Sequence, residues 1–204
     1  MKVFHVDQSR NSSSWIDKVT SVNKLNEAEL VIFPGGGDIY PGVYKKKVNK
    51  KTYFNLDVDT RQIAIMKKAI ELEIPIVGIC RGAQLMCAIQ PNGMLIQHVD
   101  HPGNHTINTY DQELLNVNSM HHQMQYPFNM KATDYKILGW SNRLSNIYLG
   151  EDDENLKVER EPEIVYYPRI KGLGIQHHPE MMTYASRANV YLRDLLDRFM
   201  NNEI

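Results

Sequence analysis

Pro75-Ile76-Val77-Gly78-Ile79 is an unbroken apolar run that ends on Cys80-Arg81-Gly82, after which helical character resumes over Ala83 to Ile89. An apolar run of this length without alternation is the pattern of a strand covered on both faces. Its neighbours agree with that placement. Lys2 to Val6 and Glu29 to Phe33 are short β-branched and aromatic runs closed by turn signals, the second by Pro34-Gly35-Gly36-Gly37-Asp38. From Asp57 to Glu73 the apolar residues Ile63, Ile65, Met66, Ala69, Ile70 and Leu72 sit close to helical spacing, with charges on the remaining positions. Strands alternating with helices imply right-handed crossovers and a mostly parallel sheet. The second half is richer in strands: Met94 to Ile96, Tyr135 to Trp140, Asn146 to Leu149, Glu163 to Tyr167 and Leu173 to Gln176. Tyr184 to Met200 closes the chain as an amphipathic helix. The expected fold is α/β, a three-layer sandwich with a mostly parallel central sheet and added antiparallel strands.

The 204 residues suit one domain, 1–204, with a sizeable core. Twenty-three Lys plus Arg against 24 Asp plus Glu leave a formal charge of -1, so no global field favours nucleic acid or an anionic membrane. The expected partner is a small molecule. No apolar run reaches the roughly 18–20 residues of a membrane span, and Asp7 interrupts the N-terminal stretch before a signal core forms, so a cytoplasmic location is expected. Cys80 and Cys87 form no disulfide framework. Seven helical residues would hold their Cα atoms about 10 Å apart, beyond bridging distance. Two charge runs, Lys45 to Lys51 and Glu151 to Glu154, read as solvated loops.

Chemistry concentrates at Cys80. A cysteine between a buried strand and a helix, flanked by Gly78 and Gly82, has the form of a nucleophile elbow with sulfur. The helix start favours negative charge, and its free N–H groups can receive an oxyanion. An inert core cysteine is the other reading of this local pattern, and it is the one assigned to Cys87. In Gly174-Ile175-Gln176-His177-His178-Pro179-Glu180, His178 and Glu180 supply a base and a group to orient it. The Pro34–Asp38 loop sits at a strand end where α/β proteins bind ligands. It is no dinucleotide fingerprint, because Tyr40 stands where the third glycine belongs. His98, His101 and His105 have spacings that could share a helix face, but Pro102-Gly103 breaks such a helix and no further ligand pattern lies nearby. No metal and no cofactor are expected.

PGGGD, GICRGAQ and GIQHHPE, in this order from Pro34 to Glu180, resemble the signatures of class I glutamine amidotransferases. The resemblance implies a flavodoxin-like fold and a triad of Cys80 as nucleophile, His178 as base and Glu180 as third member. It also implies oxyanion donors from the backbone N–H groups of Arg81 and of Gly35 or Gly36. His177 stands where that family usually has an aromatic or aliphatic residue. Val117-Asn118-Ser119-Met120-His121-His122-Gln123 and Leu95-Ile96-Gln97-His98 resemble the γ-glutamyl-γ-aminobutyrate hydrolase branch, also known as peptidase C26. This implies a stand-alone hydrolase of γ-glutamyl amides that needs no cofactor, with Gln84, His121, His122 and Gln123 lining the substrate pocket. The alternative is a glutaminase subunit that passes ammonia to a separate synthetase chain.

Overall fold

Alternation along three short central strands decides the layering. The computed structural model of the protein describes residues 1–101 and 103–204. Among them the strands are β1 (Lys2–His5), β2 (Thr20–Val22), β3 (Leu30–Phe33), β4 (Ile76–Ile79), β5 (Met94–Ile96), β6 (His98–Val99) and β7 (His105–Thr109). They continue as β8 (Leu114–Val117), β9 (Met124–Tyr126), β10 (Lys136–Asn142), β11 (Tyr148–Leu149), β12 (Arg160–Tyr167) and β13 (Gly172–Ile175). Three α-helices accompany them: α1 (Leu56–Glu71), α2 (Arg81–Ala88) and α3 (Arg187–Met200).

Leu30, Ile32, Val77, Ile79, Leu173 and Ile175 point to one face of the sheet, where Leu192, Leu195, Leu196 and Phe199 of α3 cover them. Val31, Phe33 and Ile76 point to the other face and pack with Met66 and Ala69 of α1 and Leu85 and Met86 of α2. β3 and β4 are therefore apolar on both sides, as a sheet between two helical layers requires, while β13 turns Gly172 and Gly174 to the second face.

The nine-stranded sheet has the order β2-β1-β3-β4-β13-β12-β10-β7-β8. The first five strands run parallel to their neighbours. From β13 onward the pairing is antiparallel. Two small ribbons, β5 with β9 and β6 with β11, stand apart from it. The α/β expectation holds, with a mixed sheet whose parallel half carries the elbow.

Capping accounts for the helix boundaries. Asn55 accepts hydrogen bonds from the N–H groups of Asp57 and Val58 ahead of α1, and Ser186 accepts from Asn189 ahead of α3. The two charge runs find each other. Lys46 pairs with Glu151 at 2.8 Å, Lys47 with Asp152 at 2.7 Å and Lys50 with Asp153 at 2.6 Å. Buried Asn49 lies between them and donates to the Gly150 carbonyl at 2.8 Å. The Lys-rich loop is thus satisfied internally, a pairing that the sequence reading of two independent solvated loops lacked. No described helix is long and apolar enough to cross a membrane.

Candidate active site

Cys80 is the single residue between β4 and α2, and it holds φ 49° and ψ -103°. A non-glycine residue in this region is strained, and such strain persists only where the surroundings over-determine it. Here the Cys80 N–H donates to the Ile175 carbonyl at 2.7 Å, while its own carbonyl accepts from Gln84 N–H at 3.0 Å. The turn also needs glycine at Gly82, because a Cβ there would lie 2.5 Å from the Phe33 carbonyl oxygen. This close approach sets α2 against the end of β3.

His178 leaves the end of β13, and its Nδ1–H donates to Glu180 Oε1 at 2.7 Å. Burial alone would lower the imidazole pKa, but hydrogen bonds to Cys80 and Glu180 outweigh it and raise the ring to about 10. Gly35 carries the Pro34–Asp38 loop onto the same ring, where a Cβ would come within 2.5 Å of His178 Cε1. The chain thus brings Cys80, His178, Glu180 and Gly35 together. Arg81 opens α2, so its N–H has no partner within the helix. Its guanidinium is buried against Asp59 and Gln62 of α1. Gly36 is exposed beside the Arg81 side chain.

The Val117–Gln123 segment divides its side chains among separate tasks. Asn118 clamps the His178 backbone from both sides, donating to its carbonyl and accepting from its N–H, each at 2.8 Å. Ser119 Oγ lies 2.8 Å from His101 Nδ1. His121 turns inward and donates from Nδ1 to the Gln123 carbonyl at 2.8 Å, and burial holds its pKa down to about 4. His122 is half-buried, with Nε2 3.0 Å from Asp38 Oδ1; that hydrogen bond raises its pKa. Gln123 is buried against Thr52 at 3.1 Å, and Gln84 donates to the Gln123 carbonyl at 2.8 Å. Of these pocket candidates, His122 alone keeps a substantially exposed side chain, at 41%.

Three positioning groups escaped the sequence reading: Asn118, Asp59 and Gln62. Asn118 lay in plain view inside the Val117–Gln123 motif. Asp59 and Gln62 carried a faint signal as polar positions on the inward face of an amphipathic helix. Cys87 is buried beside the Met94 carbonyl at 3.4 Å, and burial pushes its thiol up to about 11, in keeping with a packing role. His98 lies in β6 and His105 in β7, so they share no helix face; Pro102 lies outside the described residues.

The Peptidase C26 family model matches residues 15–127, a little over half of the sequence. The chain belongs to the Peptidase C26 family. A glutamine amidotransferase-like protein of Rickettsia prowazekii is 40% identical over 82 residues, which span 39% of this chain and 29% of that relative's length. Among solved structures, a glutamine amidotransferase from Thermotoga maritima superposes with a TM-score of 0.59 at 14% identity, covering 98% of both chains. The glutaminase domain of Trypanosoma brucei CTPS, solved with bound acivicin, gives a TM-score of 0.59 at 11% identity over 100% of this chain and 94% of that one. These likenesses establish a class I glutamine amidotransferase-like fold. Membership of Peptidase C26 supports a function of the glutamine amidotransferase or γ-glutamyl hydrolase type. The family match contains Cys80 and stops short of His178 and Glu180, whose approach to Cys80 is a matter of the fold.

Proposed function

We propose that this Peptidase C26 protein hydrolyses a γ-glutamyl amide bond through a glutamyl thioester on Cys80. The observation that carries the reading is the strained Cys80 elbow facing a histidine that Glu180 holds at 2.7 Å. Cys80 Sγ, its proton transferred to His178, attacks the side-chain carbonyl carbon of the substrate. The resulting oxyanion accepts from the N–H of Arg81 and of Gly35 or Gly36. His178 then gives its proton to the departing nitrogen, the C–N bond breaks, and the amine leaves. Water, deprotonated by His178, attacks the thioester and releases the γ-carboxylate of glutamate, returning the proton to sulfur. Glu180 keeps the ring oriented and stabilises its charged form. No cofactor enters these steps.

His122, beside Asp38 at the Pro34–Asp38 loop, is the proposed contact for the amine side of the substrate. Gln84, His121 and Gln123 shape the pocket from behind through their internal hydrogen bonds. The protein acts on small molecules in the cytoplasm, without nucleic acid or membrane. The second reading, a glutaminase subunit feeding ammonia to a separate synthetase, draws on the fold shared with the Trypanosoma glutaminase domain.

Steady-state kcat/KM of the purified chain for glutamine and for several γ-glutamyl amines separates the two readings. A stand-alone hydrolase converts binding energy from the bulkier amine into a kcat/KM above that for glutamine. If every amine falls below glutamine, and a co-purifying protein accelerates glutamine hydrolysis, the subunit reading replaces this one.

A further inference from the structure

Behind the triad, the antiparallel half of the sheet buries a second group of titratable side chains that the proposed reaction leaves unused. Glu161 and Glu163, two apart on β12, share one face. His105 comes from the start of β7, His101 from the turn before it, His121 from the segment after β8 and His177 from the end of β13. The side chains of His101, His177, Glu161 and Glu163 have no solvent exposure, and that of His105 is 4% exposed.

Hydrogen bonding separates the two carboxylates. Glu161 is saturated: it accepts from Tyr148 O–H, from the N–H groups of Leu144 at 2.9 Å and Ser145 at 3.1 Å, and from Ser141 Oγ at 3.3 Å. His101 Nε2 lies 2.7 Å from its other edge. Glu163 has no such shell. Among the described residues its Oε2 has no hydrogen-bond partner, and His177 Nδ1 stands 3.7 Å from it.

The histidine tautomers sharpen the contrast. His121 Nδ1–H is committed to the Gln123 carbonyl, so Nε2 carries a lone pair, which is buried and unpartnered. His105 differs: it bridges two acceptors, the Gly103 carbonyl at 3.2 Å from Nδ1 and Glu163 Oε1 at 3.1 Å from Nε2. Among the described residues the His121 Nε2 lone pair and Glu163 Oε2 are thus buried close to each other without a hydrogen-bond donor, an arrangement that is costly unless a cation joins them. An Nδ1–H fixed on a backbone carbonyl, with Nε2 aimed inward, is also how metal-binding imidazoles are oriented. One ligand atom each from His101, His121 and Glu163 lies within 4.8 Å of the others.

We propose that His101, His121 and Glu163 bind a divalent transition-metal ion of the zinc type, His101 exchanging its Nε2 contact with Glu161 for the ion while Ser119 keeps its Nδ1, with His105 in reach of the fourth position. Imidazole with one carboxylate suits zinc, whereas magnesium and calcium require mostly oxygen donors. A divalent ion also balances the two buried carboxylates. The site differs from the three-histidine pattern weighed in the sequence: His98 is absent from it, and its donors come from separate strands and turns. Its role is structural. Asn118 and Ser119, next to His121 in the chain, hold the His178 backbone and the His101 ring, so the ion pins the segment that positions the catalytic histidine.

The test uses the full chain, and in parallel its Cys80→Ala form to remove thiol binding. Each is loaded with Zn²⁺, dialysed against metal-free buffer and subjected to elemental analysis; Mg²⁺ serves as the comparison ion. The expected result is about one zinc per chain in both forms, no retained magnesium, and less than a tenth of an equivalent of zinc in Glu163→Gln and His121→Ala. Because these variants can lose fold as well as ligand, thermal unfolding of the unmodified chain is followed before and after chelation. Its midpoint should fall and return with Zn²⁺. A chain that retains no zinc and whose unfolding does not respond to it, or a folded Glu163→Gln that keeps the full equivalent, overturns the proposal.

Discussion

Two adjacent histidines at the end of β13 meet different fates, because successive residues of an extended chain point to opposite sides. His178 turns to Cys80 and Glu180, and His177 turns to Glu163. In the proposed reaction His178 carries the proton that the departing amine needs, whereas Glu180 acts only by holding and charging the ring. The two should therefore fail by different amounts. His178→Asn is expected to lower single-turnover acylation by about 10³-fold or more, within the usual reach of acid–base catalysis. Glu180→Gln should leave a rate one or two orders of magnitude higher than that remnant. Rapid-quench measurement of both variants checks the order, and a His177→Asn variant more damaged than His178→Asn would reverse the assignment within the pair.

Elements whose pattern is local were readable in advance. The run from Pro75 to Ile79, the elbow at Cys80 and the helices α1 and α3 each follow from periodicity within a single stretch. The region 98–122 offered only its histidines, because β6, β7 and β8 are short and partly polar, and β6 and β7 also pair with strands distant in the chain, β6 with β11 and β7 with β10. The clasp between the lysine and acidic runs was hidden for the same reason: complementarity between loops about a hundred residues apart leaves no local signal. Within that clasp, exposed ion pairs contribute little, since solvent screens them. The buried Asn49 amide is different, for its removal strands the Gly150 carbonyl and the Lys51 N–H that its side chain satisfies. Asn49→Ala should cost about 1–3 kcal/mol, while Lys47→Ala should leave the urea midpoint unchanged. Equilibrium denaturation of the two variants side by side measures the difference.

At the scale of the whole molecule, the parallel half of the sheet directs the carboxyl ends of β3, β4 and β13 to one place, where α/β folds gather their ligands. β3 delivers the Pro34–Asp38 loop, β4 delivers Cys80, and β13 delivers His178 and Glu180. The antiparallel half supplies support: the β7–β8 hairpin leads into Asn118, which fixes the His178 backbone. Sulfur is the proposed nucleophile of this Peptidase C26 chain. The most direct measurement is turnover of γ-glutamyl substrates by purified Cys80→Ala, with circular dichroism on the same sample to verify its fold. Loss of the small buried thiol should leave the spectrum unchanged and abolish hydrolysis. Turnover retained at the unmodified chain's rate by a folded Cys80→Ala protein would contradict the account.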